Sequence, residues 1–368
     1  MIQKKVKDIM NNYLENLNSQ KSYSKINFKY NCVSLFSGGG GLDLGLAWAG
    51  FKSKVLCEIE KPLCETLERN FPNSLILDLD VTGVRKEDIL KGFQEGEHVD
   101  LVAGGSPCQS FSILGQRGSL TDPRGQLVYE YIRIVKELNP RVFLFENVPG
   151  ILTINKGKDW KELLHFFKEE TGYNVHYKVL NSADYGVPQQ RKRVIVLGFR
   201  NDIQLPPNLN IFPEPTHAQL DASQNLGLKE SNKNPDKLKG WYPAKYALEN
   251  LDQAKNHRKR VHGERVRNRY LSVPQGSRDS IDRTDRIDAE KPSGTVLVGS
   301  KAGGGRPFIH PYEPRHITIR EAARLQSFPD SFEFFSSETW QYRAVGNAVP
   351  PLLAKAIGEN IKAILDQN

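Results

Sequence analysis

A regular alternation of short apolar runs with longer amphipathic stretches constrains the fold of this chain more than any other feature. The apolar runs read as strands, at C-V-S-L-F (32–36), K-V-L-C-E (54–58), S-L-I-L (74–77), V-D-L-V-A (99–103) and R-V-F-L-F-E-N (141–147). Strands that alternate with helices form a mainly parallel sheet with helices on both faces. R-V-I-V-L-G-F-R (193–200) lies close after the apolar segment Y-N-V-H-Y-K-V-L, and we predict that these two form an antiparallel edge. The sequence therefore predicts an α/β fold.

Composition divides the chain into four predicted parts. Residues 1–30 are polar and rich in Lys and Asn, which predicts a solvated N-terminal extension, and residues 31–200 carry the alternating strands and helices. Residues 201–315 are rich in Pro, Asn and basic side chains and lack that alternation, whereas residues 316–368 return to helical patterns. We therefore predict a large domain with a smaller basic domain inserted before its last helices.

Charge and cysteine content limit the partners and the compartment. The net charge of +8 favours a polyanionic partner, and the 38% apolar content is that of a globular protein. The four cysteines show no pairing or metal-ligand spacing, so neither a disulfide nor a metal site is predicted. No apolar run approaches the roughly 18 residues of a membrane helix, and the N-terminus lacks a signal-peptide pattern. We expect an intracellular, cytoplasmic protein that does not bind membranes.

Three features at successive strand ends point to a ligand that carries adenosine. The run F-S-G-G-G-G-L-D-L-G (36–45) follows a strand and opens a helix, where glycines let a ligand approach the backbone. Glu58 ends the second strand and can accept from ribose hydroxyls, and Asp80 follows the third and can accept from an adenine amino group. The glycines do not match G-x-G-x-x-G, which disfavours an NAD dehydrogenase; a tight turn remains the alternative for this run.

Cys108 stands where a strand passes into a loop, in G-G-S-P-C-Q-S-F-S (104–112). Loops at strand ends display reactive groups, and a thiolate is a strong nucleophile. No Cys–His protease signature surrounds it.

Glu146 ends another strand, where an apolar pocket favours a protonated carboxyl that can donate its proton. Arg191 and Arg193 lie on one side of a strand start, although such a charge run is more often a solvated face.

Six segments in this order resemble the DNA (cytosine-5)-methyltransferase family in its compact bacterial form. They are F-S-G-G-G-G, P-C-Q, E-N-V, Q-R-K-R, R-E-A-A-R-L-Q-S-F-P and Y-R-A-V-G-N-A-V-P-P. The resemblance runs from about Asn31 to the C-terminus, apart from the variable segment 201–315. It implies a Rossmann-like, mostly parallel twisted sheet of the S-adenosylmethionine-dependent methyltransferase fold, with 201–315 as an inserted target-recognition domain.

The resemblance implies S-adenosylmethionine as the methyl donor. Glu58 would hold its ribose and Asp80 its adenine, while Ile59 stands where the family often has a tryptophan and Ser106 replaces a common proline. The implied cofactor-binding residues are Phe36, Gly38, Gly40, Gly41, Glu58, Ile59, Asp80, Val81, Pro107, Asn347 and Val349.

The resemblance also implies a mechanism on a cytosine flipped out of duplex DNA. The Cys108 thiolate would add to C6, which makes C5 an enamine carbon, while Glu146 donates a proton towards N3. Arg193 would hold the cytosine O2, and Arg191 would brace the same pocket or the loop. The loop after Cys108 would close over the DNA.

Double-stranded DNA is the implied partner. Most basic side chains of the insert should contact phosphates, and a minority should read guanine edges. The candidate DNA-binding residues are Gln109, Ser112, Arg124, Arg258, Arg260, Arg265, Arg278, Lys301 and Arg306, and Arg283 and Arg286 add to the positive charge. We expect a monomer, either solitary or paired with a restriction endonuclease for the same site. Two alternatives remain: a tRNA-directed relative, and an inactive DNA-binding relative, which the presence of Cys108, Glu146 and Arg193 disfavours.

Overall fold

A computed structural model of the chain describes residues 13–106, 126–220, 238–297 and 308–368. Within these residues the central sheet has seven strands in the order β3-β2-β1-β4-β5-β7-β6. They are β1 (Tyr30–Leu35), β2 (Phe51–Cys57), β3 (Leu75–Leu77), β4 (Leu101–Gly104), β5 (Val142–Asn147), β6 (Asn174–Asn181) and β7 (Lys192–Phe199). The first five are parallel, and β7 runs antiparallel between β5 and β6. The predicted α/β fold and its antiparallel β6–β7 edge are confirmed.

Helices cover both faces of this sheet. Those that follow the strands are α1 (Gly41–Ala49), α2 (Lys61–Asn70), α3 (Lys86–Leu90), α4 (Gln126–Leu138) and α5 (Lys158–Thr171). On one face, Phe143 and Val194 of the sheet pack with Tyr131 of α4 and Phe167 of α5. On the other face, Leu144 packs with Leu46 of α1. Adjacent residues of β5 thus point to opposite cores, as a strand buried on both faces requires.

The strand order creates a crevice beside β1. The chain passes from β1 outward through β2 to β3, and then returns to β4 on the other side of β1. Ligands of open parallel sheets bind at the carboxyl ends of the strands where the order reverses in this way. The segments that leave β1 and β4 therefore define the edge at which a site is expected.

The described residues of the inserted region form little regular structure. They contain β8 (His217–Ala218), β9 (Lys239–Gly240), a 3-10 helix (Ala244–Ala247), α6 (Glu264–Ser272), β10 (Asp285–Arg286) and β11 (Phe308–Ile309). The chain ends in α7 (Ile319–Leu325), α8 (Glu338–Asn347) and α9 (Pro351–Leu365). Tyr242 and Ile287 of the insert share a hydrophobic core with Ala344 of α8, whereas Phe212 packs with Ile361 of α9. The division into four domains stays a prediction.

Residues 13–30, predicted as part of a solvated extension, are mostly exposed, but buried side chains anchor this segment to the rest of the chain. Tyr13 and Leu17 are each 1% exposed and Tyr23 is 7% exposed. The Tyr13 hydroxyl donates to the carbonyl of Arg324 at 2.7 Å, and its ring packs against Tyr242. The average polarity of this segment hid an apolar pair at positions 13 and 17, which share one face of a helix. Within the described residues, no helix has the length and apolarity needed to cross a membrane.

Asp43 is a fully buried carboxyl in the first turn of α1. Its Oδ1 accepts from the Ser53 hydroxyl at 3.0 Å, whereas its Oδ2 has no hydrogen-bond partner among the described residues. Burial raises the pKa of Asp43 to about 6, against the hydrogen bonds that favour the carboxylate. A folded pKa above the unfolded value means that stability is greatest below the unfolded pKa and is lost as the pH rises through the folded pKa.

We therefore expect Asp43→Asn to stabilise the protein at pH 7.5 by on the order of 1–3 kcal/mol. The Ser53 contact survives in this variant, and no charge is buried. Urea unfolding at pH 4.5 and at pH 7.5 measures the effect, which should be much smaller at the lower pH. An equal effect at both pH values would mean that the Asp43 charge is not its source.

Candidate active site

The glycine run forms the turn between β1 and α1 at the carboxyl edge of the sheet. Phe36 has φ 56°, Gly38 has φ 56°, and Gly40, at the N-cap of α1, has φ 75°. Phe36 is the unusual member, because left-handed backbone is costly for a side chain with Cβ. This sharp turn directs the backbone of residues 37–40 towards the crevice.

Close packing explains three of these glycines. A Cβ on Gly39 would lie 2.3 Å from the carbonyl oxygen of Ala344 in α8, and one on Gly41 would lie 2.4 Å from that of Val349. On Gly40 it would meet the ring of Phe71 at 2.6 Å, whereas on Gly38 the nearest atom is 3.9 Å away. Gly38 is thus the glycine with open space beside it. Sequence reasoning did not select Gly39, although the run of four glycines contains it.

Gly39→Ala is expected to lower the free energy of unfolding by about 2 kcal/mol or more, because the fixed carbonyl of Ala344 cannot yield cheaply. Chemical denaturation of the whole chain measures this change. Gly83→Ala is the matched control, since an added Cβ there meets nothing within 4 Å. Equal stability of the two variants would contradict the packing argument.

Glu58 lies directly after β2 and faces the glycine turn. Its side chain is buried, its Oε2 accepts the Gly38 N–H at 2.7 Å, and its Oε1 accepts the Glu60 N–H at 2.9 Å. Burial raises the pKa of Glu58, although the backbone hydrogen bonds oppose the shift. Each carboxylate oxygen can accept a second hydrogen bond, so both remain available to hydroxyl groups.

The neighbours of Glu58 suit an adenosine. Ile59 is 57% exposed and offers an apolar contact surface next to Glu58. Asp80 is exposed and uses its Oδ1 to accept the Thr82 N–H at 2.9 Å, while Val81 beside it is buried. The open Gly38 backbone, the buried carboxylate and the exposed Ile59 fit the adenosyl group of S-adenosylmethionine.

The C-terminal segment closes this edge. Asn347 ends α8 with an exposed side chain, and Val349 is buried two residues later. Because Gly39 contacts Ala344 and Gly41 contacts Val349, Asn347 lies in the segment that packs on the glycine turn. The structure therefore brings the C-terminal cofactor candidates to the residues predicted from the first two strands.

Glu146 and Arg193 form an ion pair at the same edge. Arg193 Nε lies 2.7 Å from Glu146 Oε1, and the two side chains are 10% and 14% exposed. The pairing of β5 with β7 sets this contact, since Glu146 stands opposite Ile195, two residues from Arg193. Neither residue belongs to a solvated charge run.

The segment that leads to Cys108 lies against this pair. A Cβ on Gly105 would stand 2.7 Å from Glu146 Oε2, and Asn147 Nδ2 donates to the carbonyl of Ser106 at 3.0 Å. The backbone just before Pro107 is thus fixed beside the Glu146 carboxylate. The five predicted site residues of the segment that follows lie outside the described residues, namely Pro107, Cys108, Gln109, Ser112 and Arg124.

Arg191 is 2% exposed and acts as a brace. Its guanidinium donates to the carbonyls of Val296 at 3.2 Å and Gly346 at 3.0 Å, and burial lowers its pKa. Gln189, which sequence reasoning missed, is fully buried, and its Oε1 accepts the Val296 N–H at 2.9 Å. These two side chains join the start of β7 to the insert and, through Gly346, to α8. The sequence shows the run Q-Q-R, but it does not show which distant residues these side chains contact.

The predicted DNA-binding arginines of the insert are exposed. Arg258, Arg260 and Arg265 have no ion pair within the described residues, whereas Arg278 lies 3.4 Å from Asp285. Lys301 and Arg306 lie outside the described residues.

The prediction that Arg286 adds positive charge to a DNA surface is wrong. Its Nη1 donates to the carbonyls of Tyr270 and Val273 and its Nη2 to that of Pro311, so both terminal nitrogens are used inside the protein. Composition counts such a cation but does not reveal that it caps a helix end.

Comparisons with known proteins agree with this geometry. The model of the family described as C-5 cytosine-specific DNA methylase matches residues 30–363. The Type II methyltransferase M.XorII of Xanthomonas oryzae pv. oryzae is 35% identical, over 90% of this chain and 84% of that protein. M1.HphI, a Type II methyltransferase of Haemophilus parahaemolyticus, is 37% identical, over 91% of this chain and 87% of its own length.

Solved structures share the fold. A DNA modification methyltransferase encoded within an E. coli prophage superposes with a TM-score of 0.69 at 29% identity, covering 92% of this chain and 100% of that one. The S. pombe Dnmt2 methyltransferase superposes with a TM-score of 0.63 at 20% identity, covering 92% and 99% of the two chains. The predicted methyltransferase fold is confirmed.

Proposed function

Because this chain belongs to the family of C-5 cytosine-specific DNA methylases, we propose that it methylates C5 of a flipped-out cytosine in a specific duplex sequence, through a covalent bond between Cys108 and C6. The family and the Type II relatives make it a DNA cytosine-5 methyltransferase of the restriction-modification type. The flipped base, the covalent step and the roles of single residues are the proposal.

The Glu146–Arg193 ion pair supports this proposal most strongly. It sits at the carboxyl edge of the sheet with Gly105 against one of its carboxylate oxygens. Cys108 follows Gly105 by three residues in the sequence, and we propose that its thiol acts beside this pair. A nucleophile, a carboxyl and a guanidinium around one space suit addition to an electron-poor ring.

The residues at the ends of β1, β2 and β3 would hold the cofactor. Gly38 would let it approach the backbone, Glu58 would accept its ribose hydroxyls, and Asp80 would accept its adenine amino group, with Ile59 in apolar contact. When bound, S-adenosylmethionine supplies an electrophilic methyl group.

The protein side chains would make the cytosine nucleophilic. The Cys108 thiolate adds to C6, which breaks the ring's aromaticity and leaves C5 as an enamine carbon. The added electron density reaches N3, where Glu146 delivers a proton, while Arg193 holds Glu146 in place and donates to the cytosine O2. The C5 enamine carbon then takes the methyl group. A water takes the C5 proton, the C5–H electrons re-form the C5=C6 bond and expel the Cys108 thiolate, and the N3 proton returns to Glu146.

Double-stranded DNA is the substrate that the basic insert favours. Arg258, Arg260 and Arg265 would contact phosphates, because they are exposed and have no ion pair within the described residues. The loop after Cys108 would contribute Gln109, Ser112 and Arg124. We propose that the protein acts as a cytoplasmic monomer on DNA, either as a solitary enzyme or paired with an endonuclease for the same site.

The test is incubation of the chain with labelled S-adenosylmethionine and either mixed duplex DNA or tRNA, followed by mapping of 5-methylcytosine. We expect label in duplex DNA within one recurring sequence, and an affinity for DNA that falls steeply with salt. Label in tRNA alone, or in neither polymer, would contradict the proposal.

A further inference from the structure

Helix α6 of the insert is held firmly although almost all of it faces solvent. Of its nine residues, from Glu264 to Ser272, only Tyr270 is buried. A helix of this length that buries so little gains little stability from apolar packing, so other contacts must hold it in place.

Polar contacts fix one face of α6. The Tyr270 hydroxyl donates to Asp282 Oδ2 at 2.6 Å and shares a hydrogen bond with His316 Nε2 at 3.1 Å. Arg269 Nε lies 3.2 Å from Asp279 Oδ1, and Arg286 donates to the carbonyls at the C-terminal end of the helix. The orientation of α6 is thus set without apolar burial.

The opposite face carries side chains that can recognise bases. At 3.6 residues per turn, Glu264, Asn268 and Leu271 lie along a ridge that points away from Val266, Arg269 and Tyr270. Arg265 and Arg267 flank this ridge on its two sides, and all five of these side chains are exposed. Leu271 is 53% exposed, so its apolar side chain is open to a partner.

The charge around α6 is complementary to DNA. Arg258, Arg260, Arg265 and Arg267 are exposed and have no ion pair within the described residues. Lys259 and Arg269, in contrast, are paired with Glu313 and Asp279. The unpaired cations lie in the helix and in the segment that leads into it, so a polyanion would meet them together.

We propose that α6 lies in the major groove of the duplex and that Asn268 and Arg267 determine part of the target sequence. The major groove admits an α-helix, an asparagine pairs with two atoms of adenine, and an arginine pairs with two atoms of guanine. Leu271 contacts a thymine methyl group, and Arg258 and Arg260 contact phosphates. This inference rests on the proposed methylation of DNA and adds the element that reads the sequence.

The insert connects α6 to the catalytic edge. Arg286, which caps α6, stands in β10 beside Ile309 of β11. At the other end of the insert, Val296 hydrogen bonds to Gln189 and Arg191 at the start of β7, which carries Arg193. These contacts fix the position of α6 relative to the Glu146–Arg193 pair.

The test uses Asn268→Ala and Arg267→Ala in the full chain, with a library of random duplexes as substrate and 5-methylcytosine mapping as the measurement. Each variant should lose about 5- to 150-fold of its discrimination at one base pair of the wild-type site, since a paired base contact contributes roughly 1–3 kcal/mol. Asn174→Ala is the control, because this exposed asparagine lies at the amino end of β6, away from the carboxyl edge. It should leave the site unchanged.

The outcomes separate the inference from the proposed function. Absence of 5-methylcytosine with the wild-type chain would defeat the proposed function itself. A wild-type site that both α6 variants reproduce unchanged would overturn the inference alone. Uniform weakening on all sequences, with a smaller salt dependence, would also overturn it, since it would assign these side chains to phosphates.

Discussion

Cys108→Ser is expected to reduce methyl transfer by at least about 10⁴-fold while leaving the affinity for duplex DNA within about threefold of wild type. A serine hydroxyl is a far weaker nucleophile than a thiolate, so addition to C6 should nearly cease. Single-turnover rates with labelled S-adenosylmethionine measure the first effect, and a filter-binding titration of duplex DNA measures the second.

Cys32→Ala is the control for this variant. Cys32 is fully buried in β1, and burial raises the pKa of its thiol, so it cannot supply a thiolate. Its loss should cost about 1 kcal/mol of stability and leave the rate unchanged. A Cys108→Ser protein that methylates at the wild-type rate would contradict the assignment of Cys108 as the nucleophile.

Glu146→Gln is expected to lower the turnover number by about 10²- to 10⁴-fold, the range for loss of a general acid. The amide oxygen can still accept from Arg193 Nε, which lies 2.7 Å from the carboxylate in the native pair, so the fold should survive. The affinity for the cofactor should also persist, because Glu146 is absent from the proposed adenosine contacts. Steady-state rates at saturating DNA and cofactor measure the loss.

Glu97→Gln is the matched control for Glu146→Gln. Glu97 also forms an ion pair, with Lys54 at 2.6 Å, but it precedes β4 and so lies at the amino ends of the strands. Its replacement should leave turnover unchanged. Similar losses in both variants would mean that removal of any partly buried ion pair disturbs the enzyme, and the proton-transfer role of Glu146 would fall.

The sheet could be predicted from the sequence because local patterns determine it. Short apolar runs separated by helical patterns favour a parallel sheet with helices on both faces, and β1 to β5 form such a sheet. The turn at residues 36–41 was visible for the same reason, since a run of glycines marks close backbone approach. The polar ends of β2 and β5, at Glu58 and Glu146, then followed from the rule that ligands bind at the carboxyl ends of parallel strands.

Features that depend on distant partners could not be predicted. Tyr13 is buried because its hydroxyl meets the carbonyl of Arg324, 311 residues along the chain. Gln189 and Arg191 gain their roles only when Val296 and α8 arrive beside them. In the sequence Arg286 resembles the other surface cations, but in the structure it donates to a carbonyl at the end of α6. No local pattern encodes these contacts.

The most direct test of the central claim uses a target duplex with 5-fluorocytosine at the methylated position. Fluorine at C5 cannot leave as a proton does, so the bond between the protein and C6 cannot be released after methyl transfer. We predict a complex that survives denaturing electrophoresis only when S-adenosylmethionine is present, and whose modified peptide carries the nucleotide on Cys108. The absence of such a complex, or attachment at any other residue, would contradict the account.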